Sequence, residues 1–262
     1  MASSLISGLI SHNYSADKIT VTDPDQDKLG ELKNQFGINT STDNIQAVSN
    51  ADVVVLAIKP QLMHEICEQI KQQVINKRPL IISIAAGIRS TDIDRWLGES
   101  NAIVRCMPNT PALIQAGATG LFANTNNSTA QKEIAEKILH SAGITLWVKE
   151  EAQLDAVTAV SGSGPAYFFL LIEAMQQAGV KLGLDADVAG QLAQQTALGA
   201  ARMSIEGEDD PATLRSKVTS KGGTTAAAIA SFEQNQFNDI VEQALTAARD
   251  RATELADQLG SL

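Results

Sequence analysis

A chain of 262 residues with 44% hydrophobic and 19% charged content is long enough to bury its own core, as one large domain or two ordinary ones. Its longest unbroken aliphatic run, residues 53–58, falls far short of a bilayer span, so no membrane association is expected. A net charge of −10 repels phosphate backbones and no stripe of Lys and Arg interleaved with aromatics offsets it, which argues against nucleic acid and for a small-molecule partner.

The first element along the chain is a helix, with Met1, Leu5, Ile6, Leu9 and Ile10 on one face. A doubly wound sheet instead opens with a buried strand and a glycine-rich turn that holds the cofactor pyrophosphate. The sequence begins roughly where the last residues of a GxGxxG turn would end, so a first strand plus loop of about ten residues is expected to be missing ahead of Met1. From Lys18 to about Val148, short β-branched runs alternate with amphipathic stretches, the pattern of βαβ units and a mainly parallel sheet. Predicted strands are 18–22, 53–58, 80–84, 102–106, 118–123 and 144–148, each rich in β-formers. Predicted helices are 25–36, 61–75, 90–97 with Ser90 as cap, and 129–142 after a polar turn.

After Glu151 the strand signals stop, and Ala, Gln, Leu and Glu recur with apolar residues at helical spacing. The fold class is therefore α/β: a Rossmann-like doubly wound parallel sheet that binds a dinucleotide in residues 1–150, then an all-helical domain in 151–262. Its long Ala-rich faces predict close helix packing at a subunit interface. Cys67 and Cys106 stand without a CxxC or metal-type spacing, which suits a reducing compartment and a cytoplasmic location. No basic segment leads into an apolar one at the start, so no signal peptide is expected.

Several turns carry candidate chemistry. Strand 18–22 ends at Asp23, where an acid would hold the adenosine ribose hydroxyls, although Asp-Pro-Asp alone is more simply a turn. A carboxylate there leans towards NAD over NADP without deciding between them. Ala57-Ile58-Lys59-Pro60 and Ala85-Ala86-Gly87 close two strands at the carboxyl edge, where open sheets bind ligands. Small residues there admit a flat ring, while either motif in isolation equally satisfies a tight turn. The loop after strand 102–106 brackets Asn109 between Pro108 and Pro111, rigid enough to hold polar groups towards a nicotinamide.

In the second half, Ser220-Lys221-Gly222-Gly223-Thr224-Thr225 runs into a helical stretch. Glycines opening a helix expose consecutive backbone N–H groups, a concave site for a carboxylate or phosphate; an N-capped loop explains the same residues equally well. Ser161-Gly162-Ser163-Gly164-Pro165 lacks the GxSxG order of a nucleophile elbow and follows no strand, so it reads as a hinge with Pro165 in a first helical turn. His12, His64 and His140 have no mutual spacing for a metal or a triad, and no metal site is expected. Asp209 and Asp210 before Pro211 read as a solvated turn ahead of a helix.

Taken in order, Ala57-Ile58-Lys59-Pro60, Ala85-Ala86-Gly87, Met107-Pro108-Asn109-Thr110-Pro111, Ser161-Gly162-Ser163-Gly164-Pro165-Ala166-Tyr167, and Leu214 through Lys217-Val218-Thr219-Ser220-Lys221-Gly222-Gly223-Thr224-Thr225 to Phe232-Glu233 resemble the pyrroline-5-carboxylate reductase family over nearly the whole chain. The resemblance implies NAD(P)H-dependent reduction of the C=N bond of 1-pyrroline-5-carboxylate to L-proline, the last step of proline biosynthesis. It implies NADP or NAD as cofactor, a Rossmann domain, and a helical domain through which homodimers interleave and can build larger homo-oligomers. It assigns substrate contacts to Ser220, Gly222, Gly223, Thr224 and Thr225, and a cofactor lining to Asn44, Ala57, Lys59, Pro60, Ala85 and Asn109. Ile58, Ala86 and Gly87 join that lining from their place on the sheet edge. Family members begin with a strand and a Gly-x-Gly-Asn-Met-type turn, of which only Met1 and Ala2 are recognisable here.

The chemistry suits these residues, because an imine carbon is already electrophilic and hydride transfer to it needs positioning more than acid or base power. The Gly222 and Gly223 amides with Ser220 are expected to cradle the substrate carboxylate facing a nicotinamide pocket, and Thr225 to act as the catalytic residue that orients the ring nitrogen. A Thr hydroxyl is too weak an acid to be the sole proton source, which leaves water or an imine that is protonated before hydride arrives. A β-hydroxyacid dehydrogenase or imine reductase shares the architecture, but the former needs a Lys on the interdomain helix where this chain has Pro-Ala-Tyr-Phe-Phe after Gly164. A non-catalytic dinucleotide sensor or scaffold is the alternative from another class.

Overall fold

In a computed structural model, which describes residues 1–261, the chain folds into two compact units. One comprises Met1–Ser163 with Ala248–Leu262, the other Gly164–Ala247.

The first unit is a Rossmann-like α/β layer. Strand β1 (Thr20–Thr22) pairs in parallel with β2 (Asn39–Ser41). A separate five-stranded sheet runs in sequence order through β3 (Val53–Leu56), β4 (Leu80–Ser83), β5 (Ile103–Met107), β6 (Gly117–Ala123) and β7 (Gly143–Trp147). All its pairs are parallel except β5–β6, which is antiparallel and modifies the expected mainly parallel pattern at one side. Among the described residues β1 pairs only with β2 and β3 only with β4.

Every residue of β4 is buried, as a parallel strand covered on both faces requires. Ile81 and Ile103 point into a cluster with Met63, Cys67 and Ile70 of α4 (Met63–Lys77) and Trp96 of α5 (Ser90–Trp96). Leu80, Ile82 and Val104 point the other way, to Leu5 of α1 (Ala2–Ser11) and Leu139 of α6 (Thr129–His140). Both cysteines sit in these clusters, and burial pushes the Cys67 thiol up to about 12 and Cys106 upward as well, so both stay neutral core side chains.

Local chemistry explains most element ends. Asp25 caps α2 (Gln26–Phe36) by accepting from the Asp27 and Lys28 amides, which holds its carboxyl below the usual range, and Gly37 ends the helix in the left-handed region. Ser128 and Gln131 form a reciprocal capping box on α6. Ser90, in contrast, is not the cap of α5. It is the first helical residue, and the cap comes from far away: Glu151 accepts from the Ser90 N–H at 2.6 Å and the Ser90 hydroxyl at 2.7 Å. The same carboxylate pairs with the Arg105 guanidinium at 2.8 Å, where Arg105 is nearly inaccessible to solvent. The short β2 and the helix α3 (Asn44–Asn50) are absent from the predicted elements because a polar Asn-Thr-Ser strand has no apolar alternation to reveal it.

Helix α7 (Gln153–Val157) passes into a π-turn, Thr158–Gly162, at the end of the first unit. The second unit is wholly helical among its described residues: α8 (Gly164–Lys181), α9 (Ala186–Glu206), α10 (Pro211–Lys217), α11 (Thr224–Gln234) and the start of α12 (Phe237–Gly260). Asp210 caps α10 ahead of Pro211, and its hydrogen bonds from Thr213 and Ala212 lower its carboxyl pKa. Buried positions in this unit are small, such as Ala189, Gly190 and Ala193, while Phe168, Phe169, Leu170 and Ile205 are exposed. The helical stretch Gln153–Lys181 is long and apolar enough, by length and composition, to cross a membrane, although the π-turn interrupts it.

Removing the Glu151 carboxylate would strand a buried guanidinium and uncap α5, so Glu151→Ala should destabilise the first unit by about 3 kcal/mol. Urea unfolding followed by fluorescence reads that unit, since Trp96 and Trp147 are the two tryptophans and both lie in it. A loss below about 1 kcal/mol would refute a structural role for the pair.

Candidate active site

Strands β3 and β4 end side by side, with Leu56 beside Ser83, while Ser83 lies beside Arg105 of β5, which runs two residues further to Met107. The turns after β3 and β4 therefore leave the sheet at one level. At this carboxyl edge Ala57, Lys59 and Ala86 are exposed, Ile58 and Pro60 are half-buried, and Ala85 is buried in the core below. The residues grouped by sequence reasoning at 57–60 and 85–87 are thus brought together by strand register. Gly87 adopts a left-handed backbone (φ +71°), which explains a glycine at that point of the turn.

Asn109 lies beside them but is turned inward and buried. Its side-chain carbonyl accepts from the Ala118 N–H at 2.9 Å, and its amide donates to the Ser161 carbonyl at 3.0 Å. That second bond ties the loop after β5 to the π-turn, whose widened helix leaves carbonyls for outside donors. Asp23 follows β1 and accepts from the Asp25 N–H at 2.9 Å, as the Asx-turn reading requires. Asn44 opens α3 and donates to Gln69 on α4 at 2.9 Å.

Two features suit a dinucleotide. The edge of β3 and β4 presents Ala57 and Ala86, side chains that stop at Cβ and leave backbone accessible to a flat ring. In the first turn of α1 the Ser4 hydroxyl is buried with no hydrogen-bond partner, a polar group free to serve a ligand.

In the second unit, residues 218–223 join α10 to α11. Gly222 adopts φ +73°, and the Gly223 N–H donates to the Ser220 carbonyl at 3.0 Å, closing a tight turn directly before the helix. A Cβ on Gly223 would lie 2.5 Å from the Ser220 hydroxyl oxygen and 3.2 Å from its carbonyl oxygen, so a side chain there would displace the Ser220 hydroxyl from its present position. Helix α11 opens without a side-chain cap, and among the described residues its first amides, Thr224 and Thr225, have no acceptor outside the helix. Ser220 and Thr224 are exposed and Thr225 is half-buried. The turn thus offers unsatisfied N–H donors at a helix N-terminus with hydroxyls on both sides, an arrangement that takes a carboxylate.

Two of the three histidines are used within the fold. The His12 ring meets the Gly8 carbonyl at 2.8 Å, and His64 packs on Trp96 with ring centroids 5.2 Å apart. Among the described residues no cluster of His, Cys, Asp or Glu could hold a metal ion. Glu151 and Arg105, which fix the frame behind the 85–89 turn, escaped sequence reasoning, because they are separated by 46 residues and carry no local motif.

Residues 151–255 match the family described as Pyrroline-5-carboxylate reductase dimerisation, and residues 1–87 match that described as NADP oxidoreductase, coenzyme F420-dependent. The chain is 52% identical over 260 residues to the pyrroline-5-carboxylate reductase of Pseudomonas aeruginosa, covering 99% of this chain and 95% of that protein. Among solved structures it is similar to a pyrroline-5-carboxylate reductase from Coxiella burnetii, with 45% identity, a TM-score of 0.94, and coverage of 97% and 94% of the two chains. It is also similar to Plasmodium falciparum pyrroline carboxylate reductase with NADP bound, with 30% identity, a TM-score of 0.85 and the same coverage.

Asn109→Ala would leave two backbone groups, one on β6 and one on the π-turn, without partners. The expected cost is about 2–3 kcal/mol in the tryptophan-monitored urea transition, and a change under about 0.5 kcal/mol would show that the amide is dispensable.

Proposed function

The chain belongs to the pyrroline-5-carboxylate reductase family, and from that premise we propose that it reduces the C=N bond of 1-pyrroline-5-carboxylate to give L-proline, as an NAD(P)H-dependent oxidoreductase of proline biosynthesis. Family membership over nearly the whole chain supports the activity, and the uncapped start of α11 carries the reading of the substrate site.

When bound, the reduced nicotinamide supplies the hydride. NADP is the form carried by one of the similar structures, while Asp23 after β1 would favour NAD; both remain within the family's NAD(P) chemistry. Asp23, Asn44, Ala57, Ile58, Lys59, Pro60, Ala85, Ala86, Gly87 and Asn109 form the proposed cofactor lining. Asn109 acts there through its loop, since its carbonyl and one amide hydrogen serve the fold.

The substrate carboxylate is held by the Gly222 and Gly223 turn, the free amides at the start of α11, and the Ser220 and Thr224 hydroxyls. The charge also sits favourably at the positive end of that helix. Thr225 orients the ring nitrogen. The loop holds no carboxylate or imidazole, so the nitrogen takes its proton from water or arrives already protonated as the iminium.

The helical unit Gly164–Ala247, narrower than the 151–262 span expected from sequence because 151–163 and 248–262 group with the first unit, serves as the substrate-binding and dimerisation domain, and the exposed faces of α8 and α9 are the contact surface of a homodimer or larger homo-oligomer. We read the apolar Gln153–Lys181 stretch as part of that interface and not as a membrane span, with a cytoplasmic enzyme and no nucleic-acid partner as the consequence.

NADPH or NADH consumption that depends on 1-pyrroline-5-carboxylate, with L-proline as product, tests the activity; its absence in active-site-competent protein overturns it. Thr225→Ala should lower kcat/KM by about tenfold or more, equivalent to one oriented hydrogen bond, and unchanged kinetics would remove Thr225 from the mechanism. Light scattering should give at least twice the 27.7 kDa chain mass, and a monomer would refute the interface.

A further inference from the structure

The last part of α12 does not stay with the helices before it. Residues 248–260 belong to the first unit and lie against the turn 85–89 and α5. Leu255 and Leu259 close over Gly87: their carbons sit 3.3 and 3.5 Å from where a Cβ on that glycine would be. Ala256 is buried, and Leu259 packs on the core cluster that contains Ala85 and Ile88. Three polar contacts flank this apolar cover. Asp257 pairs with Arg89 at 2.5 Å, the Thr253 hydroxyl donates to Asp155 at 2.9 Å, and Arg95 donates to the Gly260 carbonyl at 2.8 Å, capping the end of α12.

The turn has little else to hold it. Residues 86 and 87 form a turn whose closure is weak: no backbone bond of Ala86, Gly87 or Ile88 reaches good hydrogen-bond geometry among the described residues, and the Ala85 amide makes only a long bond to the Ser83 hydroxyl, at 3.4 Å. Its inner side is fixed by Ala85 and Ile88 in the core, and its outer side by the tail. A turn with so few hydrogen bonds keeps one conformation only while packing restrains both sides.

We infer that the tail of α12 is a positioning element for the cofactor turn, acting through Leu255 on Gly87 and through Asp257 on Arg89, and that it sets the affinity for NAD(P)H. The inference rests on the proposed cofactor role of residues 85–87. The Arg89–Asp257 pair is exposed on both sides and adds little to global stability, so a change in cofactor affinity on its removal reports turn geometry and not unfolding.

The experiment is a direct titration of the full-length protein with NADPH, followed by fluorescence, alongside steady-state kinetics and thermal unfolding. Leu255→Ala should raise the NADPH Kd about tenfold and Asp257→Asn about threefold, while Asp257→Glu stays within about twofold of the unsubstituted protein. The KM for 1-pyrroline-5-carboxylate should move less than about twofold, and hydrogen exchange in residues 250–260 should slow when NADPH binds. Unchanged NADPH affinity in both Leu255→Ala and Asp257→Asn overturns the inference. So does a loss of affinity that Asp257→Glu fails to restore, or one that appears only with a matching fall in thermal stability. NADPH binding that responds to the tail in a protein that does not reduce 1-pyrroline-5-carboxylate would overturn the activity reading and leave the tail's role standing.

Discussion

The molecule depends on the register of three parallel strands. Leu56, Ser83 and Arg105 lie abreast, and β4 between them is buried on both faces, so a slip of one residue would exchange its two hydrophobic sets and open both core clusters at once. Held that firmly, β3 and β4 must release their following turns at one level, beside a β5 that runs two residues further. Chemistry can then be placed in the turns with small residues, because the strands supply the precision. Ala57 and Ala86 use that level surface, and the glycine at position 87 lets the second turn double back without a side chain in the way.

The turns are in turn positioned by contacts that are distant in sequence. Glu151 joins the end of β5 to the start of α5, and residues 85–89 are strung between β4 and that same helix. A buried ion pair of this kind is weak evidence of net stability, since two well-packed apolar side chains could do as well. What it supplies is a defined geometry: Arg105 cannot tolerate another arrangement without losing its charge partner, and Ser90 cannot start the helix elsewhere without losing its cap. The α12 tail completes the frame from the opposite side.

How much of this was readable from sequence follows from how local each signal is. The strands of the five-stranded sheet, the helices that begin at about residue 25 and after Asp210, and the turn of residues 220–223 ahead of α11 all depend on residues within a few positions of one another, and periodicity and turn chemistry expose them. Strand β2 was invisible because three polar residues carry no alternation, and β6, predicted as a strand, gave no sign of its antiparallel direction because direction leaves no mark on a short strand sequence. The bond from Asn109 to the π-turn, the cap that Glu151 gives α5 at Ser90 and the return of residues 248–260 to the first unit are decided by partners 52 to 168 residues away. No window of sequence contains both halves of those interactions. The candidate site was legible as a set of turns for the same reason that its supports were not.

The second unit follows a different logic. Its inward positions are Ala189, Gly190 and Ala193, which let α8 and α9 approach closely but bury little apolar area, while Phe168, Phe169, Leu170 and Ile205 stand in solvent. Each such side chain, once covered, contributes about 1.5–3 kcal/mol, so the face as a whole exceeds anything the small-residue seam provides. A unit built in this way gains its stability at the surface and not in its own interior. Where association covers that face, the stability of the unit, and with it the proposed carboxylate-binding turn before α11, becomes a function of protomer concentration.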